Sequence, residues 1–262
     1  PGYGRAHYTF VNAGLNIIPV DVDEHGVMVD HIEQTMRRTH VDAIYLTPRH
    51  QFPTTVTLSA KRRQHLVRLV NAHHCYVIED DYGCEFHFSG PRLSPLYKQL
   101  PPECAVYIGS FSKMLAPAIR IGMMAASEES IKKVGALRSL IDIQGDNSME
   151  QAVLDLIEQG VLRKHLKEAT RQYAEKKDHL CRLLATLGDR VAFDNPTGGL
   201  AVWLALPGLT LTANELTARL EKKGVSALVF TLPSETIGIR IGYASLSHAD
   251  IDRLVAVLGS IV

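Results

Sequence analysis

The feature that most restricts what this chain can fold into is a repeated grammar between residues 17 and 108. A short β-branched run is followed by polar or Gly/Pro punctuation, then by a helical stretch, then by the next run. The runs fall at 17–22, 43–47, 76–79 and 105–108, and neighbours separated by a helical crossover pair in parallel. Ser59 stands where a helix N-cap belongs, and Leu66, Leu69 and Val70 recur at helical spacing in the predicted helix 61–73. The run 121–126 follows its predecessor too closely for a helical crossover and is expected antiparallel. From 148 to 187 the pattern is helical, broken near Gly160. Beyond it, predicted strands 199–206, 225–230 and 239–243 alternate with predicted helices 213–223 and 248–258. The implied architecture is α/β: a mostly parallel large domain over 1–160, then a smaller α+β domain over 161–262 entered by a long helix.

Composition narrows the class. With 262 residues, 46% of them hydrophobic and 21% charged, the chain can bury a substantial core and reads as neither disordered nor membrane-spanning. Its 28 Lys and Arg cancel its 28 Asp and Glu, so no global field is available to grip a nucleic-acid backbone. Four cysteines without C-x-x-C spacing, and no charged-then-apolar leader, point to a reducing, cytoplasmic setting. Pro1-Gly2-Tyr3-Gly4-Arg5 carries no initiator Met and reads as a loop from within a longer chain.

Two strand ends hold the chemistry. The run Ile78-Glu79-Asp80-Asp81-Tyr82 closes an apolar strand with three carboxylates and a phenol. Ligands of parallel sheets bind beyond the carboxyl ends of the strands, which favours function for these residues over a solvated turn. The next strand ends in Gly109-Ser110-Phe111-Ser112-Lys113, with Arg120 shortly after. A lysine against an apolar wall can become an amine nucleophile toward an aldehyde, and two hydroxyls with an arginine fork suit a phosphate.

Taken together, Asp80-x-Tyr82, Ser110-x-Ser112-Lys113 and Arg120 resemble the active-site ladder of fold-type I pyridoxal-phosphate aminotransferases. Within that superfamily, residues 47–54 (Thr-Pro-Arg-His-Gln-Phe-Pro-Thr) and the runs at 79–82 and 109–113 are most similar to the MocR branch of GntR-type transcription regulators. The resemblance covers essentially the whole chain. It implies pyridoxal 5'-phosphate as cofactor, an internal aldimine at Lys113, Asp80 opposite the pyridine nitrogen with a depressed pKa, and Tyr82 and Gln51 at the ring's phenolic oxygen. Ser110, Ser112 and Arg120 would hold the phosphate. Arg240, on a predicted small-domain strand, would bind a carboxylate of the effector or substrate, its alternative being a structural strand arginine. Arg5 could add a second such contact or be a simple surface residue.

By the same resemblance the chain is the effector-sensing and dimerisation domain of a regulator, a homodimer answering an amino acid, amine or vitamer. DNA would then be contacted only through an N-terminal winged helix. A free-standing aminotransferase using an amino acid and a 2-oxo acid, and a degenerate dimerisation scaffold, are the alternatives. Gln51-Phe52-Pro53 favours the regulator, since ordinary aminotransferases usually carry Asn before that proline, and the intact Asp80, Tyr82, Lys113 and Arg120 disfavour the scaffold. Arg49 replaces a serine frequent in the MocR stretch, suggesting a loop suited to a different effector. His73-His74-Cys75, Cys84 and His87 match no compact ligand spacing, so no metal is expected. Trp203 reads as core, and Lys61-Arg62-Arg63 as a solvated helix start.

Overall fold

The computed structural model describes residues 1–232 and 235–262. Its central sheet is built from β3 (Ala43–Leu46), β4 (Tyr76–Asp81), β5 (Ala105–Ser110) and β6 (Gly122–Ala125), in that spatial order. The first three are parallel and β6 is antiparallel to β5, as the crossover lengths predict. Helix α3 (Ala60–His73) links β3 to β4, and the Ser59 side chain accepts from the Arg62 backbone N–H at its start. Arg62 and Arg63 are not the solvated helix start expected. Arg62 pairs with Asp23, and the buried Arg63 donates to the Ser94 carbonyl at 2.6 Å.

No α-helix bridges β4 and β5. The link contains two 3-10 turns, Leu96–Gln99 and Pro102–Cys104. Glu79, fully buried on β4, accepts from the Leu96 and Tyr97 N–H groups at 3.0 and 2.7 Å, satisfying donors that a turn leaves orphaned.

The expected strand at 17–22 is not formed. Only a two-residue ribbon appears, β1 (Val22–Asp23) against β2 (Gly26–Val27), and Ile17 and Ile18 are exposed. Two helices went unread in the sequence, α1 (Gly4–Asn12), whose first residues were expected in a loop, and α4 (Glu128–Ile141), while α2 (Val29–Met36) is the helical stretch expected between the runs at 17–22 and 43–47. The predicted 148–187 helical stretch forms as α5 (Asn147–Glu158) and α6 (Val161–Ala185), broken at Gly160 in a left-handed conformation.

A second sheet, β7 (Ala201–Leu206), β9 (Ile237–Gly242) and β8 (Leu228–Thr231) in that order, is antiparallel throughout. With α7 (Ala213–Lys222), α8 (His248–Gly259) and the second half of α6 it encloses a core including Leu184, Leu204, Leu216 and Ile239. A separate core around Leu66, Val70 and Val77 fills the space between α3 and the parallel sheet. Fully burying one such leucine contributes about 1.5–3 kcal/mol.

Candidate active site

Alternation along β4 divides three neighbouring acids among three surroundings. Glu79 caps the 3-10 turn and Asp81 forms a buried ion pair with Arg49 while accepting from Tyr107 Oη at 2.9 Å. Asp80 alone of the three is left for a ligand. Arg49 pairs with Asp81 and donates to the Leu93 carbonyl at 3.1 Å.

Asp80 accepts from Tyr45 Oη at 2.6 Å. Burial pushes its carboxyl pKa up, with the Tyr45 hydrogen bond pulling the other way. The depression expected from the resemblance belongs to a pairing with a cationic ring, whereas here desolvation is the larger influence. Tyr82 donates to the His50 carbonyl at 2.7 Å, and burial raises its phenol pKa while the neighbouring Arg240 guanidinium lowers it.

Beyond β5, the Phe111 N–H donates to the Ile121 carbonyl at 3.0 Å, and this bond brings Ser110 and Ser112 alongside Arg120. Ser110 Oγ accepts from the Ser112 N–H at 3.3 Å. Arg120 has a left-handed backbone (φ 53°), which turns the chain directly into β6. Lys113 lies exposed in the intervening turn, held by the Met114 and Leu115 N–H groups donating to the Phe111 carbonyl. By chain position Asp80, Ser110, Ser112, Lys113 and Arg120 lie at the carboxyl ends of β4 and β5 and in the turn that follows.

Gln51 is engaged by its own loop and by Pro1. Its Nε2 donates to the Pro1 and Phe52 carbonyls and its Oε1 accepts from the Thr54 N–H and hydroxyl. The next side chain faces the small sheet instead: the Phe52 ring lies 5.1 Å from the Arg240 guanidinium carbon and also meets Tyr3 and Phe230 edge-on. Arg240 on β9, opposite Trp203, has a buried Nε without a hydrogen-bond partner among the described residues. Arg5 is exposed on α1 and forms no ion pair among the described residues. Trp203 packs against Phe230 and Gly238, where a side chain would collide with the indole, so it reads as packing.

Sequence reasoning missed Tyr45 and His50. The only signal for Tyr45 was a phenol in an otherwise apolar strand. The His50 imidazole is pressed against Gly199, whose φ of 84° suits glycine and where a Cβ would stand 3.1 Å from Nδ1. Burial, followed by Arg49, pushes its pKa down to about 4. At the opposite end of the sheet, His74, Glu103 and Cys104 bring one ligand atom each within 4.8 Å of one another. Burial raises the Cys104 thiol pKa, against thiolate formation.

A family model described as aminotransferase class I and II matches residues 1–258. The HTH-type transcriptional regulator YdeL of Bacillus subtilis, itself described as uncharacterized, is 28% identical over 258 residues, covering 96% of this chain and 54% of its own. The 2-aminoadipate transaminase of Thermus thermophilus is 28% identical over 268 residues, covering 99% and 67%. The crystal structure of LysN, an α-aminoadipate aminotransferase of the same bacterium, superposes with a TM-score of 0.89 at 26% identity, over 100% of this chain and 70% of that one. The chain spans about half the length of the curated regulators it matches.

Proposed function

Because the chain belongs to the class I and II aminotransferase family, we propose that it is the effector-sensing and dimerisation domain of a GntR/MocR-type transcription regulator, built around pyridoxal 5'-phosphate. The observation that carries this reading is the placement of Asp80 at the end of β4 and of Ser110, Ser112, Lys113 and Arg120 at the end of β5 and in the turn beyond it. The donor set fits the cofactor: a half-buried carboxylate for a ring nitrogen, hydroxyls and a guanidinium for a phosphate, and an exposed amine for an aldehyde.

Bound pyridoxal 5'-phosphate supplies an aldehyde and an electron-withdrawing ring. Asp80 holds the proton on the ring nitrogen, and Lys113 Nζ provides the nucleophile and, where transamination occurs, carries the proton to and from the substrate α-carbon. Ser110, Ser112 and Arg120 anchor the phosphate, with Tyr82 and Gln51 assigned to the ring's phenolic oxygen. Tyr82 reaches that oxygen by releasing the His50 carbonyl, and Gln51 by releasing loop partners. Arg240 is assigned the effector's carboxylate, supported by its Nε lacking a partner, and Arg5 a second such contact.

The regulator role is supported by matches to HTH-type regulators over nearly the whole chain and by Gln51-Phe52-Pro53. DNA contact belongs to a winged helix outside these residues. Homodimerisation is supported by apolar side chains on the exposed face of α4. A cytoplasmic setting is supported by four free cysteines, and no helix among the described residues is long and apolar enough to cross a membrane. The boundary near residue 160 is proposed as the division between large and small domains, supported by the two separate cores.

A free-standing aminotransferase is the second reading, favoured by the transaminase match over 99% of this chain. The full-length protein is incubated with pyridoxal 5'-phosphate, reduced with borohydride and peptide-mapped. Label on Lys113, absent from Lys113→Ala, is expected, and an unlabelled wild type overturns the cofactor reading. Amine-dependent change in DNA binding supports the regulator, whereas amino-group transfer to a 2-oxo acid without DNA binding supports the enzyme.

A further inference from the structure

We propose that Tyr45 is a positioning residue that fixes the Asp80 carboxylate in the bearing and charge state needed to face a protonated ring nitrogen. The inference rests on the pyridoxal-phosphate reading and deepens it. Tyr45 lies opposite Ile78 in the β3–β4 register, so its side chain shares a sheet face with Asp80 two residues further on. Its hydroxyl donates to Oδ2 at 2.6 Å, and this is the side-chain hydrogen bond that Asp80 receives among the described residues.

The ring of Tyr45 is clamped from outside the sheet. Phe10 meets it edge-on at 5.4 Å between centroids, and His7 at 6.2 Å. A phenol met edge-on by two rings of one helix has its hydroxyl aimed, and it has one hydrogen to give. Burial and the Asp80 charge push its own pKa far above the ordinary tyrosine value, so it stays a donor throughout the working pH range. With Oδ2 tied, Oδ1 is presented on a fixed bearing. A hydrogen bond to an ionised oxygen also favours the carboxylate, opposing the burial that favours the acid.

The groups around Asp80 show why this donor matters. Tyr45 faces it from β3, Tyr82 from just beyond the end of β4, Tyr3 and His7 flank Tyr45 from the α1 side, and its β5 neighbour is the apolar Ile108. No cationic side chain pairs with Asp80 among the described residues. Tyr45 is what holds Asp80 toward its charged form before any ligand arrives.

The test is Tyr45→Phe in the full-length protein, which deletes one oxygen and keeps the clamped ring. The carboxyl titration of Asp80 is followed by carbon NMR without cofactor, its resonance assigned with Asp80→Asn. The midpoint is expected to rise by about one pH unit or more, the scale of a lost hydrogen bond to a charged group. Phe10→Leu, which loosens the clamp and keeps the hydroxyl, should give a smaller rise. Affinity for pyridoxal 5'-phosphate should fall about tenfold, and the pH profile of the visible band should shift with it. An unchanged Asp80 midpoint overturns the inference while leaving the cofactor reading intact. A shifted midpoint with unchanged cofactor affinity overturns the positioning role. A wild type that takes up no cofactor overturns the reading, and this inference with it.

Discussion

At the scale of single residues, the ion pair of Arg49 and Asp81 and the imidazole of His50 are the places where charge is hidden. Arg49→Ala leaves Asp81 buried without its cation, and the expected loss is about 3–5 kcal/mol by denaturant unfolding. Asp81→Asn should cost on the same scale, because it leaves the Arg49 guanidinium, only 11% exposed, without its anion. His50 makes stability depend on pH with a definite sign. Its folded pKa, about 4, lies below its ordinary value of 6.5, so the unfolded chain binds the proton more readily. The contribution is complete above pH 6.5 and is lost as pH falls toward 4, by a total on the order of 3 kcal/mol. Denaturant midpoints at pH 7.5 and 5 should differ more for the wild type than for His50→Gln, and equal differences would contradict this origin. Neither pairing was legible beforehand: Arg49 meets Asp81, and His50 meets Gly199, across long sequence separations that periodicity does not encode.

At the scale of elements, legibility followed the strength of the local signal. Helix α3 was readable because Ser59 and its apolar positions agree, and β6 because its short link excludes a helical crossover. Helix α4 was missed although Ser127 is its N-cap and Ile131, Val134, Leu137 and Leu140 recur at helical spacing. Residues 17–22 misled in the other direction: β-branched composition suggested a strand, yet no neighbouring strand pairs with 17–21. The small-domain helices carry explicit start signals. Thr212 and Glu215 form a reciprocal capping box on α7, as do Ser247 and Asp250 on α8. Thr212→Ala should cost about 1 kcal/mol, read as a lower denaturant midpoint at unchanged slope.

At the scale of the molecule, the fold-type I expectation is borne out, with the LysN structure following the chain from end to end. The unevenness of the surface was not foreseeable from composition. Along α4 the side chains of Ile131, Val134, Leu137, Leu140 and Ile141 are all exposed, Leu140 at 84%. Contiguous apolar surface of this kind marks contact sites or draws other apolar matter. Since this face is assigned to the homodimer, Leu137→Gln with Leu140→Gln should raise the monomer fraction in sedimentation, and an unchanged association state would contradict that assignment.

The separation of Glu79, Asp80 and Asp81 into a turn cap, an acid assigned to the cofactor and a buried ion pair has a consequence for genetics. Three adjacent codons specifying nearly the same chemistry should fail in different ways. In a saturation library scored for cellular abundance, changes at 79 and 81 should deplete the protein while many at 80 are tolerated. Scored for ligand response, position 80 should join them. The pleat of one strand thus separates inherited damage to making the protein from damage to using it, one letter apart.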